Sequence, residues 1–121
     1  MKATDLMIGD WVLVQDAPNA GFRPCRVTIG LLRNLLISNE TKRSVMPIPL
    51  TPEILEKNAT SIERGYYIFG KYPNTLYVMF DSQAGVRIIE GDCEYYGIEL
   101  KYVHELQHAL KLYRIEKEVV V

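Results

Sequence analysis

The chain is poor in the residues that announce a mechanism. Of its 121 residues, two are cysteine, two histidine and one tryptophan. Cys25 and Cys93 form no CxxC pair, so they are expected to be reduced thiols acting as small apolar residues. No apolar run approaches the roughly 18–20 residues of a membrane span. The opening Met1-Lys2-Ala3-Thr4-Asp5 has one basic residue and lacks the apolar stretch of a secretory signal. Both absences point to a cytoplasmic location and no membrane partner. Net charge is scarce as well: 14 Lys and Arg against 15 Asp and Glu leave −1. No global field therefore recruits nucleic acid or an anionic membrane. Also missing are a Gly-rich phosphate loop, a nucleophile elbow and a close carboxylate pair. With 48% hydrophobic and 24% charged residues, the composition is that of an ordinary globular chain, and a single domain (1–121) is the expectation.

What is present is a pattern of short strands and two helices, hence an α+β fold class. Asp10 to Gln15, Cys25 to Leu31, Leu35 to Ser38 and Arg43 to Met46 read as strands. Turns at Ala17–Gly21, Arg33-Asn34 and Asn39–Lys42 separate them. Together they predict a small SH3-like N-terminal β-meander. Pro47-Ile48-Pro49-Leu50 must be extended and marks a seam between two lobes, 1–46 and 51–121, sharing one core. Thr51-Pro52-Glu53 then starts a short helix over 52–58: a capping Thr, Pro at the first helical position and an acid in the first turn. Tyr66 to Lys71, Thr75 to Asp81 and Val86 to Glu90 predict a second antiparallel meander. In its middle strand Leu76, Val78 and Phe80 share one face, and Tyr77, Met79 and Asp81 the other. An amphipathic helix is expected from about Glu99 to Arg114.

One string inside that helix resembles chemistry. His104-Glu105-Leu106-Gln107-His108 matches His-Glu-x-x-His, in which two histidines one turn apart hold Zn²⁺ and the glutamate polarises its water. Three arguments weigh against it. At about 100° per residue, Tyr102, Val103, Leu106, Ala109, Leu110 and Tyr113 fill a core-facing arc of about 120°. His104 and His108 then centre on the opposite, solvent side, next to Lys101, Glu105 and Lys111. A catalytic zinc also takes a third protein ligand, yet positions 111 and 114 are Lys and Arg, and only thirteen residues follow His108. Finally, little chain is left over for the second lobe of a cleft.

Three blocks occur in order: Leu6-Met7-Ile8-Gly9-Asp10-Trp11-Val12, Pro47 to Asn58 (PIPLTPEILEKN), and Tyr102 to Leu110 (YVHELQHAL). Together they resemble a group of small uncharacterised proteins of gut Bacteroidetes, often encoded in phage-like or other mobile regions. The resemblance implies a shared opening Ile-Gly-Asn/Asp strand, the proline-flanked helix and the C-terminal helix, with no established activity. Similar proteins often carry Gln at the position of Glu105 and Asn at that of His108, which implies that neither a general base nor a second ligand is required. This sequence departs from the pattern after Asn58, where Ala59-Thr60-Ser61 replaces the customary Gly-Phe.

The expected function is a non-enzymatic protein-interaction module with no cofactor, acting on an unidentified protein or on a second copy of itself. Its candidate surface is Tyr66, Tyr67, Tyr95 and Tyr96, with the tail Ile115 to Val121, since Tyr is enriched at interfaces. Val119-Val120-Val121 calls for burial, as an edge strand or against another subunit. The first alternative is a zinc-dependent hydrolase using His104, His108 and Glu105. The second is a nucleic-acid-binding module using Arg23, Arg26, Arg33 and Arg43 with Lys42, which the near-neutral charge disfavours.

Overall fold

The computed structural model describes residues 6–15, 17, 19–37, 44–71, 73–82, 85–89 and 99–121. They form a small α+β protein with two antiparallel sheets, divided into two compact units between Ile48 and Pro49. No helix among the described residues is long and apolar enough to cross a membrane.

The first unit opens on a tight turn. Asp10 Oδ2 accepts from the Met7 N–H at 2.7 Å, while the Asp10 N–H returns to the Met7 carbonyl at 3.1 Å. Gly9 sits inside this turn at φ +92°, which a side chain would strain. Strand β1 (Trp11–Gln15) then pairs antiparallel with β2 (Arg23–Arg26) on one side and β3 (Ser44–Pro47) on the other. Val12 and Val14 point into a core with Leu6, Val27 and Leu31, against which Cys25, Leu32 and Val45 pack. Cys25 is a free thiol; Cys93 lies outside the described residues.

The expected meander of four or five short strands is corrected here. Ile29–Ile37 is a helix, α1, where strands at Cys25–Leu31 and Leu35–Ser38 and a turn at Arg33-Asn34 were predicted. The Thr28 hydroxyl accepts from the Leu31 N–H at 3.2 Å, and the Thr28 carbonyl takes the Leu32 N–H at 3.0 Å. Thr28 is thus a helix cap, although Val27-Thr28-Ile29 has strand-forming side chains. The sheet remains three-stranded and is not closed into a barrel among the described residues.

The second unit begins as expected. Helix α2 spans Pro52–Asn58, and the Thr51 side chain accepts from the Ile54 N–H at 3.3 Å. Strands β4 (Ser61–Glu63), β5 (Tyr66–Lys71), β6 (Asn74–Asp81), β7 (Gly85–Ile89) and β8 (Glu99–Leu100) follow as one antiparallel meander in sequence order. β4 was not anticipated. It is joined to β5 by a two-residue turn in which Arg64 and Gly65 both have positive φ, the backbone that matches hairpin twist. Thr60 extends the ladder: its N–H donates to the Ile68 carbonyl, and its hydroxyl accepts from the Gly70 N–H.

The C-terminal helix is shorter than predicted. Glu99 and Leu100 belong to β8, and α3 covers Val103–Leu112. It ends in a Schellman motif, with the Ile115 N–H on the Leu110 carbonyl (2.8 Å) and the Arg114 N–H on that of Lys111 (3.1 Å). Arg114 occupies the left-handed position at φ +58°, where glycine is usual. Phe69, Leu76, Val78, Val86, Ile88 and Leu100 bury one face of the sheet, α2 packs against β5, and α3 packs against β8.

The tail, expected as a contact surface, is held within its own unit. Val119 is 1% exposed and Ile115 is buried too. Asn58, fully buried, grips Val120 like a strand neighbour: Oδ1 accepts from its N–H, and Nδ2 donates to its carbonyl, both at 2.8 Å. Nδ2 also donates to the Ile54 carbonyl at 2.8 Å. A carboxamide supplies donor and acceptor together, which is what a lone backbone segment needs.

Candidate functional site

The His104–His108 region is reached through the start of α3. Glu105 Oε1 accepts from the backbone N–H groups of Lys101 and Tyr102, both at 3.0 Å. The carboxylate thereby satisfies amides that the helix start leaves over, as in a capping box. That oxygen serves the start of the helix. His104 corrects the helix-wheel expectation: it is 6% exposed rather than solvent-facing. Its ring stacks on Tyr102 (centroids 5.8 Å apart, planes 8° apart) and meets His108 edge-on at 5.6 Å. The two imidazoles are adjacent as the spacing requires, but no group of three His, Cys, Asp or Glu able to hold a metal occurs among the described residues. The wheel located the apolar stripe correctly; Val103, Leu106, Ala109 and Leu110 are buried. It could not show that the covered arc extends one position further, to His104.

Among the described residues, Arg23 and Arg26 do not share a face of the three-stranded sheet. Arg26 lies over the Trp11 ring at 4.9 Å, a cation–π contact. Arg23 pairs with Val14 and Arg26 with Trp11, and Val14 and Trp11 project to opposite faces of β1. Arg33 is on α1, and Lys42 and Arg43 lie outside the described residues.

Tyr66 and Tyr67 are half-buried neighbours on β5 and therefore project to opposite faces. Tyr67 sits on the core face, between Ile62 and Val78. Tyr66 belongs to the other face, where the register aligns Glu63, Tyr66, Met79, Arg87 and Glu99 directly across five strands. A second row, Ser61, Ile68, Tyr77 and Ile89, runs beside it. Tyr77 is 38% exposed, Glu63 and Glu99 are exposed at the two ends, and Tyr66, Ile68, Met79 and Arg87 are half-buried. The Arg87 Nε is shielded from solvent and has no hydrogen-bond partner among the described residues.

Ile68, Tyr77, Met79 and Arg87 were not among the residues expected at a surface site. The alternation in β6 already put Tyr77 and Met79 on one face; what was missing was the register that sets them beside Tyr66 and Arg87. Tyr95 and Tyr96 lie outside the described residues. No protein-family model, curated protein or solved structure matches the chain.

Proposed function

We propose that the chain is a non-enzymatic protein-interaction module, of phage or mobile-element type, that binds a protein partner through the Tyr66–Arg87 face of its five-stranded sheet. The supporting observation is the composition of the two cross-strand rows. Tyr66, Tyr77, Met79 and Arg87 are the residue types enriched at protein interfaces, and Glu63 and Glu99 supply the charged rim that such patches have. The use of Glu105 Oε1 as a helix cap speaks against the zinc-hydrolase alternative, and the opposite faces of Arg23 and Arg26 speak against the nucleic-acid one.

The test is affinity capture from the native host's lysate, comparing wild type with Tyr77→Arg and Met79→Glu variants whose melting temperatures match it. A protein retained by wild type and lost with both variants supports the reading. Equal capture by all three, or none by wild type, overturns it. Light scattering over a range of concentrations identifies the case in which the partner is a second copy.

A further inference from the structure

We propose that the concavity at the Lys71–Asn74 end of the β5–β6 pair, closed on its other side by the segment after α3, binds a phosphate group. The cavity measures about 320 Å³, and Lys71, Arg114 and Lys117 line it, opposed by one acid, Glu116. This balance runs against its surroundings, because residues 49–121 carry eight Lys and Arg against eleven Asp and Glu. Three cations and one acid give the lining a net positive charge, which suits a dianion.

The neutral lining suits the same ligand. Thr60 Oγ1 accepts from the Gly70 N–H at 3.2 Å, which leaves its own hydrogen to donate, and Asn74 is a further polar residue of the lining. Arg114 offers a planar fork that matches phosphate oxygens, while the two lysines act as point charges.

The backbone holds these groups in place. Gly70 stands at φ +81°, and a Cβ there would run into the Asn74 carbonyl and lie 3.0 Å from Ile115 Cγ1. The hairpin and the post-helix segment are therefore in close contact at the floor of the cavity. Arg114 sits in the left-handed position of the Schellman motif, where glycine would be unstrained. A strained arginine at the rim of a cationic hollow is accounted for if its guanidinium has a ligand to hold.

The full chain is titrated with inorganic phosphate at low ionic strength, following backbone amide resonances, with sodium chloride at matched ionic strength as reference. Saturable shifts at Gly70, Asn74 and Ile115, with a dissociation constant of about 1 mM or lower, are expected. Arg114→Gly provides the decisive variant, because it removes the guanidinium and relieves the strain together. It should melt at or above the wild-type temperature yet bind phosphate at least about tenfold more weakly, and Lys117→Gln should weaken binding in the same direction. Phenyl phosphate in a parallel titration separates the sources: tighter binding assigns a phosphate monoester, weaker binding the free ion. The proposal is overturned if chloride reproduces the shifts, if wild type does not saturate, or if Arg114→Gly titrates like wild type.

Discussion

At the scale of single residues, the side chains of Asn58 and Glu105 serve the backbone. Asn58 closes three hydrogen bonds that no apolar side chain could replace. Asn58→Ala is expected to cost about 2–4 kcal/mol, because it removes all three bonds and empties part of a fully buried site. Asn58→Asp should cost at least as much, since a carboxylate would turn an acceptor toward the carbonyls of Ile54 and Val120. Urea unfolding midpoints compare the two. Glu105 yields a finer test, because its work is accepting two N–H groups. Glu105→Gln keeps an oxygen in place and should shift stability by under about 0.5 kcal/mol, whereas Glu105→Ala should lose about 1 kcal/mol of capping. Thermal unfolding of both variants measures the difference. A general base would show the opposite sensitivity, with Gln as damaging as Ala to any activity.

At the scale of elements, glycines separate local geometry from packing. Gly30 lies in the first turn of α1, where an added Cβ would meet only Thr28 Oγ1, at 3.8 Å. Gly30→Ala is therefore expected to stabilise the chain by about 0.5–1 kcal/mol. Gly9 has open space around it but φ +92°, so Gly9→Ala should cost about 1–2 kcal/mol of backbone strain alone. Gly70 adds a backbone collision to the same strain, and Gly70→Ala should exceed the Gly9 value by about 1–3 kcal/mol. Calorimetric melting of the three variants should rank them in that order. The elements themselves were legible where their signals are local. Thr51-Pro52-Glu53 marks the start of α2 through bonds only three residues long, and alternation marks β6. α1 was misread because Val27-Thr28-Ile29 favours a strand by side-chain type, while the cap at Thr28 and the leucine pairs at 31-32 and 35-36 repeat at helical spacing. β8 shortened α3 because its two residues pair with β7, a partner that no helix pattern reveals.

At the scale of the whole molecule, the second unit is sealed by chain far from where it starts. Val119 enters the core, while Val120 is held by Asn58, 62 positions earlier. Val119→Asp should cost about 3–5 kcal/mol as an unpaired buried charge, a large share of the roughly 5–15 kcal/mol that keeps a domain folded. A matching fall in the urea midpoint checks this. The apolar tail was legible as a segment that must be buried; that its cover is intramolecular was not. The same division holds at the candidate site. Tyr66 could be named from composition, but its companions Met79 and Arg87 depend on a register set across three strands. His104 could be put on a helix, yet its burial depends on how far the neighbouring structure wraps around α3. By itself the sequence determined caps, turns and alternating faces, because these rest on sterics and hydrogen bonds between residues a few positions apart, as the Glu105 cap does. The tertiary structure alone decided strand register, the burial of His104 and the buried tail. Pairing and burial are settled among segments tens of residues apart, where many local patterns compete for one hydrophobic core.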